Sequence, residues 1–440
     1  MPDVPSTPQN AKFPVSEREA TPPPAVPDAS APGSTNPKVS VVVPVFNTEA
    51  YLDECLGSLV SQTLRDIEIV CVDDGSTDGS AAKLAEWAEK DSRIRVLRQE
   101  NRGGGAARNA GMDAVTGEWL FFCDSDDVCE PEMLEDLFSR GEASGADLSV
   151  AQRAIWNKDL TSVVSRMRFP QSAWRKEQPF PGRSAGVDAF VLFGNPAWNK
   201  LFRRRFVLEK GIRFQEIPIS DDLLFVDLAI AESSAICLSE RSLYRYRSGR
   251  PGSAVSTFDR EPLCLVRSYS VLRDALSERG LLGAFLPALS KALFASGGYQ
   301  FQRMSSTTAL RTAYTAWREL LLSLDAHFPL LDSGALNERQ RECYRAFLDS
   351  EDPVPFLVSC WRGAAQRGNA LNVKVVELKE KLQSESLKRK KADAKAKVEM
   401  ERVRAAGKAA VKRERSRFEK SLSWRLTAPL RKISVLLSGS

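Results

Sequence analysis

Four short, predominantly apolar runs constrain what this chain can fold into: Val39–Val43, Ile67–Val72, Ile94–Leu97 and Trp119–Cys123. Each has the length of a strand rather than a helix. Between and after them, residues 50–62, 78–90, 104–115 and 131–143 carry helical periodicity. Asp78 stands where the second of these helices would take its N-cap. Apolar strands alternating with helices predict an α/β domain with a mostly parallel central sheet, helices covering both faces. Ligands of such sheets bind in the crevice outside the carboxyl ends of the strands. Each run here is followed by polar residues: Asn47, then Asp73-Asp74, then Asn101, then Asp124-Ser125-Asp126-Asp127. The topology therefore predicts one crevice in which four strand ends pool their polar side chains.

Carboxylates clustered at a strand end repel one another and stay ionised side by side only when a cation joins them. With a single histidine, His327, in 440 residues, any metal here is held by oxygen. An oxygen donor set favours Mg²⁺ or Mn²⁺. Such a cation would bridge a diphosphate and neutralise charge as it departs. The same cluster also reads as an acidic capping loop ahead of Pro131. Asp73-Asp74-Gly75-Ser76-Thr77-Asp78 has turn and cap chemistry, with Asp74 placed to accept from a base or ribose. Asn101-Arg102-Gly103-Gly104-Gly105-Ala106-Ala107-Arg108 is a Gly-rich entry into a helix, whose amides suit phosphate. It matches neither a dinucleotide fingerprint nor a P-loop.

Val41–Asn47, Asp73–Gly79, Asn101–Gly111 and Phe121–Asp127, in this order and spacing, resemble the successive signatures of glycosyltransferase family 2. The resemblance covers roughly residues 38–258. It implies a GT-A type fold and an inverting transfer of a sugar from a nucleotide-diphosphate donor, a UDP-sugar foremost. Residue by residue, it implies a nucleotide contact at Asp74. Metal and diphosphate contacts fall to Asp126 with Asp124 or Asp127, and donor-pocket positions to Pro44, Phe46 and Arg108. A later acidic pair of the family corresponds to Asp221-Asp222, where Asp stands in place of the usual Glu, and implies Asp222 as catalytic base. A helix N-terminus also accounts for that pair. Asp221, with Trp198 and Lys200 of Trp198-Asn199-Lys200-Leu201-Phe202, is an acceptor-site candidate. Tyr244-Arg245-Tyr246-Arg247 and Arg250-Pro251-Gly252-Ser253 resemble a stretch common in bacterial polysaccharide members; closing over the diphosphate and simple packing both fit it.

The remainder of the chain is less specific. Residues 1–37 are rich in Pro, Ala and Ser and read as a solvated leader. The expected division continues with a catalytic domain over 38–258, a helical region over 259–370 and a basic charged helix or imperfect coiled coil over 371–421. An amphipathic tail over 422–440 completes it. In the tail, Leu426, Leu430, Ile433 and Leu437 form one helical stripe beside Arg425, Arg431 and Lys432. That pattern suits either an anionic membrane surface or packing on protein, and the coiled coil offers a homo-oligomer contact. A net charge of +5 gives no reason to expect nucleic acid. Eight scattered cysteines without a CxxC pair exclude a zinc knuckle, and Cys71 and Cys123 read as buried free thiols. With no secretory signal and no long apolar run, the expected location is the cytoplasm or the inner face of the cell membrane. The expected acceptor is a glycan or lipid-linked hydroxyl in bacterial surface-polysaccharide synthesis. Two other classes fit the same motifs: a nucleotidyltransferase that makes sugar nucleotides, and a non-catalytic scaffold acting through its coiled coil.

Overall fold

The computed structural model describes residues 37–170, 173, 178–250, 258–362 and 369–420. The leader 1–36 and the tail 422–440 lie outside the described residues. The chain divides into two compact units: residues up to 251 with Val271–Phe285, and Gly252–Ser270 with Leu286 onward. Val271–Phe285, which lies beyond the expected boundary at residue 258, falls in the first unit.

The first unit is built on a seven-stranded sheet. Its strands are β1 (Val39–Val45), β2 (Ile67–Asp73), β3 (Ile94–Arg98), β4 (Trp119–Phe122), β6 (Leu148–Ala151), β9 (Lys200–Arg203) and β10 (Ile236–Ser239), in the order β10-β6-β9-β4-β1-β2-β3. Strand β9 runs antiparallel to both β4 and β6, and the other pairs are parallel. Every strand but β9 therefore points the same way, and the carboxyl ends of β1, β2, β4, β6 and β10 share one edge. The apolar runs are near-continuous because the sheet is covered on both sides: β1, β2 and β4 are buried almost throughout. Edge strand β3 alternates to solvent and carries Arg95 and Arg98, charges that discourage further strand addition. Cys71 and Cys123 are fully buried free thiols, as expected.

Helices α1 (Leu52–Val60), α2 (Ser80–Lys90), α3 (Gly104–Ala114) and α4 (Met133–Ser144) follow β1, β2, β3 and β4 in turn. Helix α2 starts two residues later than the pattern predicts. Its N-cap position is Gly79, while Asp78 accepts from the Ser80 amide at 3.0 Å. Gly111 of α3 packs so closely on Val42 that a Cβ there would overlap the valine, which brings α3 down onto β1.

A second, four-stranded sheet runs β5-β11-β7-β8, from β5 (Val128–Cys129), β7 (Arg153–Trp156), β8 (Val163–Met167) and β11 (Tyr244–Arg247). Strands β7 and β8 occupy a stretch without legible period because four of the five β8 residues are exposed, leaving no buried face to mark. Short helices α5 (Ala189–Phe193) and α6 (Arg204–Glu209) and the longer α7 (Asp221–Glu232) complete this part of the chain.

Helices α8 (Cys264–Glu278) and α9 (Leu282–Phe301) each have residues in both units, and the second unit continues with helices α10 (Thr307–Asp325), α11 (Glu338–Leu348) and α12 (Pro353–Arg362). Its core centres on fully buried Trp317. The indole packs within 5.1–5.3 Å of the rings of Phe301, Phe347 and Phe356 and donates to the Leu293 carbonyl at 2.8 Å. The last helix, α13 (Asn369–Lys420), runs for 52 residues. Its apolar side chains Val398, Met400 and Val403 are exposed.

Candidate active site

Local sequence places the crevice residues on four elements. The turn after β2 puts Asp74 over the Gly-rich run. Its Oδ1 accepts from Gln99 Nε2 at 2.7 Å and the Arg102 amide at 3.0 Å, and its Oδ2 from the Gly103 amide at 2.8 Å. Two amides expected to face a phosphate therefore face Asp74. The glycines serve a different end: a Cβ on Gly105 would overlap the Gln215 carbonyl oxygen, and one on Gly104 would crowd Arg108 and Asp221. They let the segment before α7 settle onto the start of α3, where the Asn109 amide side chain exchanges two 3.0 Å hydrogen bonds with the Phe214 backbone.

Arg108, on the second turn of α3, joins the two acidic clusters. Its Nη2 reaches Asp124 Oδ1 at 2.6 Å and its Nη1 reaches Asp221 Oδ2 at 2.5 Å, with the guanidinium over the Phe214 ring. Asp222, adjacent to Asp221 in the first turn of α7, is half-buried. Burial first, and then the neighbouring Asp221 charge, push its carboxyl from an ordinary 3.8 to about 7, against the pull of Arg108. A carboxyl balanced near neutrality suits proton transfer.

The loop after β4 is pinned from beneath by β11. The Asp124 amide donates to the Tyr244 hydroxyl at 3.0 Å, and Arg247 donates from Nε to the Asp126 carbonyl at 2.7 Å. Asp126 pairs with Arg250, and burial raises its carboxyl. The thiols of Cys55, Cys123 and Cys129 lie below, with sulfur separations of 3.9 and 4.0 Å. The Tyr-Arg-Tyr-Arg strand is thus the scaffold of the acidic loop, a role its sequence does not announce because β11 and the loop are about 120 positions apart.

Several of the expected site positions are buried. Asp127, a metal-ligand candidate beside Asp126, is fully buried. Its Oδ1 accepts from the Arg247 amide at 2.7 Å, its Oδ2 has no hydrogen-bond partner, and burial holds it well above the usual carboxylate range. Asp124 and Asp126, on either side of Ser125, are each partly open to solvent and paired with an arginine. Lys200 is also fully buried: its ammonium donates to the Phe193, Gly194 and Pro196 carbonyls and to Asn199 Oδ1 at 2.7–3.1 Å, so it shapes the 193–199 turn from inside. Trp198 is stacked against Tyr244 and Tyr246, with centroids at 4.5 and 5.4 Å, and is almost fully buried. Pro44 is half-buried near the end of β1, and Phe46 just beyond it is 46% exposed.

A divalent cation fits this arrangement in one specific sense. Among the described residues no three acidic, cysteine or histidine side chains form a ready metal cluster. The Asp124 charge nevertheless adds to burial in raising the Asp126 carboxyl, and each of the two is held by an arginine. Mg²⁺ and Mn²⁺ commonly use one or two carboxylates and take their other ligands from phosphate and water. No described helix is long and apolar enough to cross a membrane.

Comparison with known proteins gives a consistent picture. Residues 40–209 match the glycosyl transferase family 2 profile. Glycosyltransferase GlyG of Streptococcus pneumoniae serotype 4 is 43% identical over 234 residues, covering 50% of this chain and 73% of that protein. Cholesterol galactosyltransferase of Borreliella burgdorferi is 29% identical over 321 residues, covering 70% of this chain and 86% of that protein. The chain spans 34% and 61% of the length of two other relatives. The crystal structure of S. aureus TarS residues 1–349 superposes with a TM-score of 0.54 at 20% identity, covering 75% of this chain and 92% of that one, a likeness of fold. These relatives lend no support to the nucleotidyltransferase or scaffold readings.

Proposed function

The chain belongs to glycosyl transferase family 2, and from that premise we propose that it transfers a sugar from a nucleotide-diphosphate donor to a hydroxyl of a glycan or lipid-linked acceptor in bacterial surface-polysaccharide synthesis. One observation carries the assignment of roles: Arg108 bonds Asp124 and Asp221 at once, which sets Asp222 beside the acidic loop. Asp222 takes the proton of the acceptor hydroxyl as that oxygen attacks the anomeric carbon, a single displacement with inversion. Asp124 and Asp126 would hold Mg²⁺ or Mn²⁺, whose charge offsets that of the departing diphosphate. Asp74 positions the loop 99–103 at the nucleotide end of the crevice, and exposed Phe46 offers a face on which a base stacks. Asp127, Lys200 and Trp198 act from below, as supports.

The reading is tested by incubating purified protein with UDP-sugars and GDP-mannose, with and without Mn²⁺, and following release of nucleoside diphosphate. Metal-dependent release that disappears in Asp126→Ala supports it. Release of pyrophosphate from a nucleoside triphosphate and a sugar phosphate would instead identify a nucleotidyltransferase. The long basic helix α13 and the tail after it are proposed to bring the enzyme to anionic lipid or to a second copy of itself. Met400 and Val403, exposed and three residues apart on α13, are compatible with the second contact. Flotation with anionic liposomes and sedimentation of the full chain, each compared with a chain truncated after residue 421, separate the two.

A further inference from the structure

At the carboxyl end of β6 the first unit has a cavity of about 300 Å³. Strands β4, β9 and β6 are successive neighbours, so this end lies two strand spacings, about 10 Å, from the end of β4 on the same edge of the sheet. Its walls include Met167, Phe169 and Leu192. Arg153 and Arg168 converge on it, and one exposed carboxylate, Asp188, also lines it.

Arg153 is the unusual member. It opens β7 and is largely withdrawn from solvent, yet its guanidinium has no hydrogen bond or ion pair among the described residues. Burial pulls Arg153 down to about 10. A cation kept in such a place without a partner among the described residues is costly. The chain also makes room for it: Gly194, at φ 60°, lies against the guanidinium so closely that a Cβ would overlap Nη1. A planar fork of donors facing an apolar-walled cavity matches an oxyanion, bound through two parallel hydrogen bonds. Gly194, which lies against the guanidinium, gives its carbonyl to the Lys200 ammonium, so the cavity borders the 193–199 turn.

We propose that this cavity is an acceptor subsite that receives a phosphate group of the molecule being glycosylated, with the Arg153 guanidinium as its ligand and Arg168 as an outer cation. The inference rests on the glycosyltransferase reading with Asp222 as base. A polyol or sugar phosphate anchored at Arg153 would have its reacting hydroxyl placed by the spacing between phosphate and nucleophile, which would select acceptors.

The test follows thermal unfolding of the full chain with glycerol phosphate, glycerol and glucuronate at constant ionic strength. A ligand that binds only the folded form raises the midpoint saturably. Glycerol phosphate is expected to raise it in the wild type and glycerol to leave it unchanged. Arg153→Gln should remove most of the shift, and Arg153→Lys should keep a weaker one, as a point charge without a fork. Because the donor crevice also accepts phosphate, the readout is the difference between wild type and Arg153→Gln. Should Arg153→Gln fail to fold, the exposed Arg168→Glu decides, with a several-fold weaker response expected. Equal shifts in wild type and variants, no shift in the wild type, or a response to glucuronate but not to glycerol phosphate would each overturn the proposal. UDP with Mn²⁺, titrated in parallel, reports on the donor half: a UDP shift without a glycerol phosphate shift loses the subsite and leaves the glycosyltransferase reading intact.

Discussion

Arg108 Nη1 lies 2.5 Å from Asp221 Oδ2, a contact between residues 113 positions apart. The same guanidinium holds Asp124. One side chain thereby ties the helix after the Gly-rich run to the acidic loop and to the acidic pair that opens α7. Removing it should be felt in stability and chemistry together. Arg108→Gln is expected to cost about 3 kcal/mol, the low end for a broken buried ion pair, since Asp124 keeps some solvent contact. Because Arg108 draws the Asp222 carboxyl downward, its loss should also move the rising limb of the pH–rate profile to higher pH. An unmoved profile in a folded variant would show that Arg108 does not influence the base.

Asp222→Asn keeps the shape of the side chain and removes its capacity to accept a proton, and a fall in transfer rate of about 10²–10⁴ is expected. UDP affinity, measured calorimetrically, should change little. In the wild type, activity should rise with pH through about 7, where Asp222 loses its proton. Stability moves the other way. The folded carboxyl holds its proton up to about 7 while the unfolded one releases it near 3.8, so this group's contribution is full below 3.8 and declines as pH rises across that window. The melting temperature of Asp222→Asn should therefore show a shallower decline between those pH values than that of the wild type.

Asp126 and Asp127 are neighbours in sequence with different expected roles. Asp126→Ala should abolish the gain in UDP affinity that Mn²⁺ confers. Asp127→Asn replaces a buried carboxyl, held well above the usual range, by a near-isostere, and metal-dependent affinity should stay within a few-fold of wild type. Calorimetric titration with and without Mn²⁺ distinguishes them; the reverse order would return Asp127 to the metal.

Asp74→Ala leaves the Arg102 and Gly103 amides and the Gln99 side chain without their acceptor. A loss of about 1–3 kcal/mol is expected for buried groups left unsatisfied. Hydrogen exchange should accelerate at residues 102–103 ahead of the sheet. Unchanged protection there would mean that the loop is held by other contacts, and that Asp74 is free for the nucleotide.

The sequence by itself determined the parallel core of this fold. The runs at β1, β2, β3 and β4 have strand length, the helices between them keep period, and their polar ends are local features, so Asp74, Asp124 and Asp126 were legible as residues at the carboxyl ends of parallel strands. Asp221 and Asp222 were found through family resemblance, because an acidic pair at a helix start looks the same whether it caps or catalyses. Tertiary structure decided the rest. The antiparallel insertion of β9 and the exposed strand β8 carry too little burial contrast to register as a pattern. Which carboxylate stays partly open to solvent, Asp124 or Asp127, depends on Arg247 from a strand about 120 residues later. The fate of Lys200 depends on how the 193–199 turn closes over its ammonium, and the withdrawal of Arg153 on how the cavity walls and Gly194 close around its guanidinium. Strand length and helical period are set by neighbours along the chain; pairing of buried charges is set by groups that only folding brings together, and a linear reading holds no record of those distances.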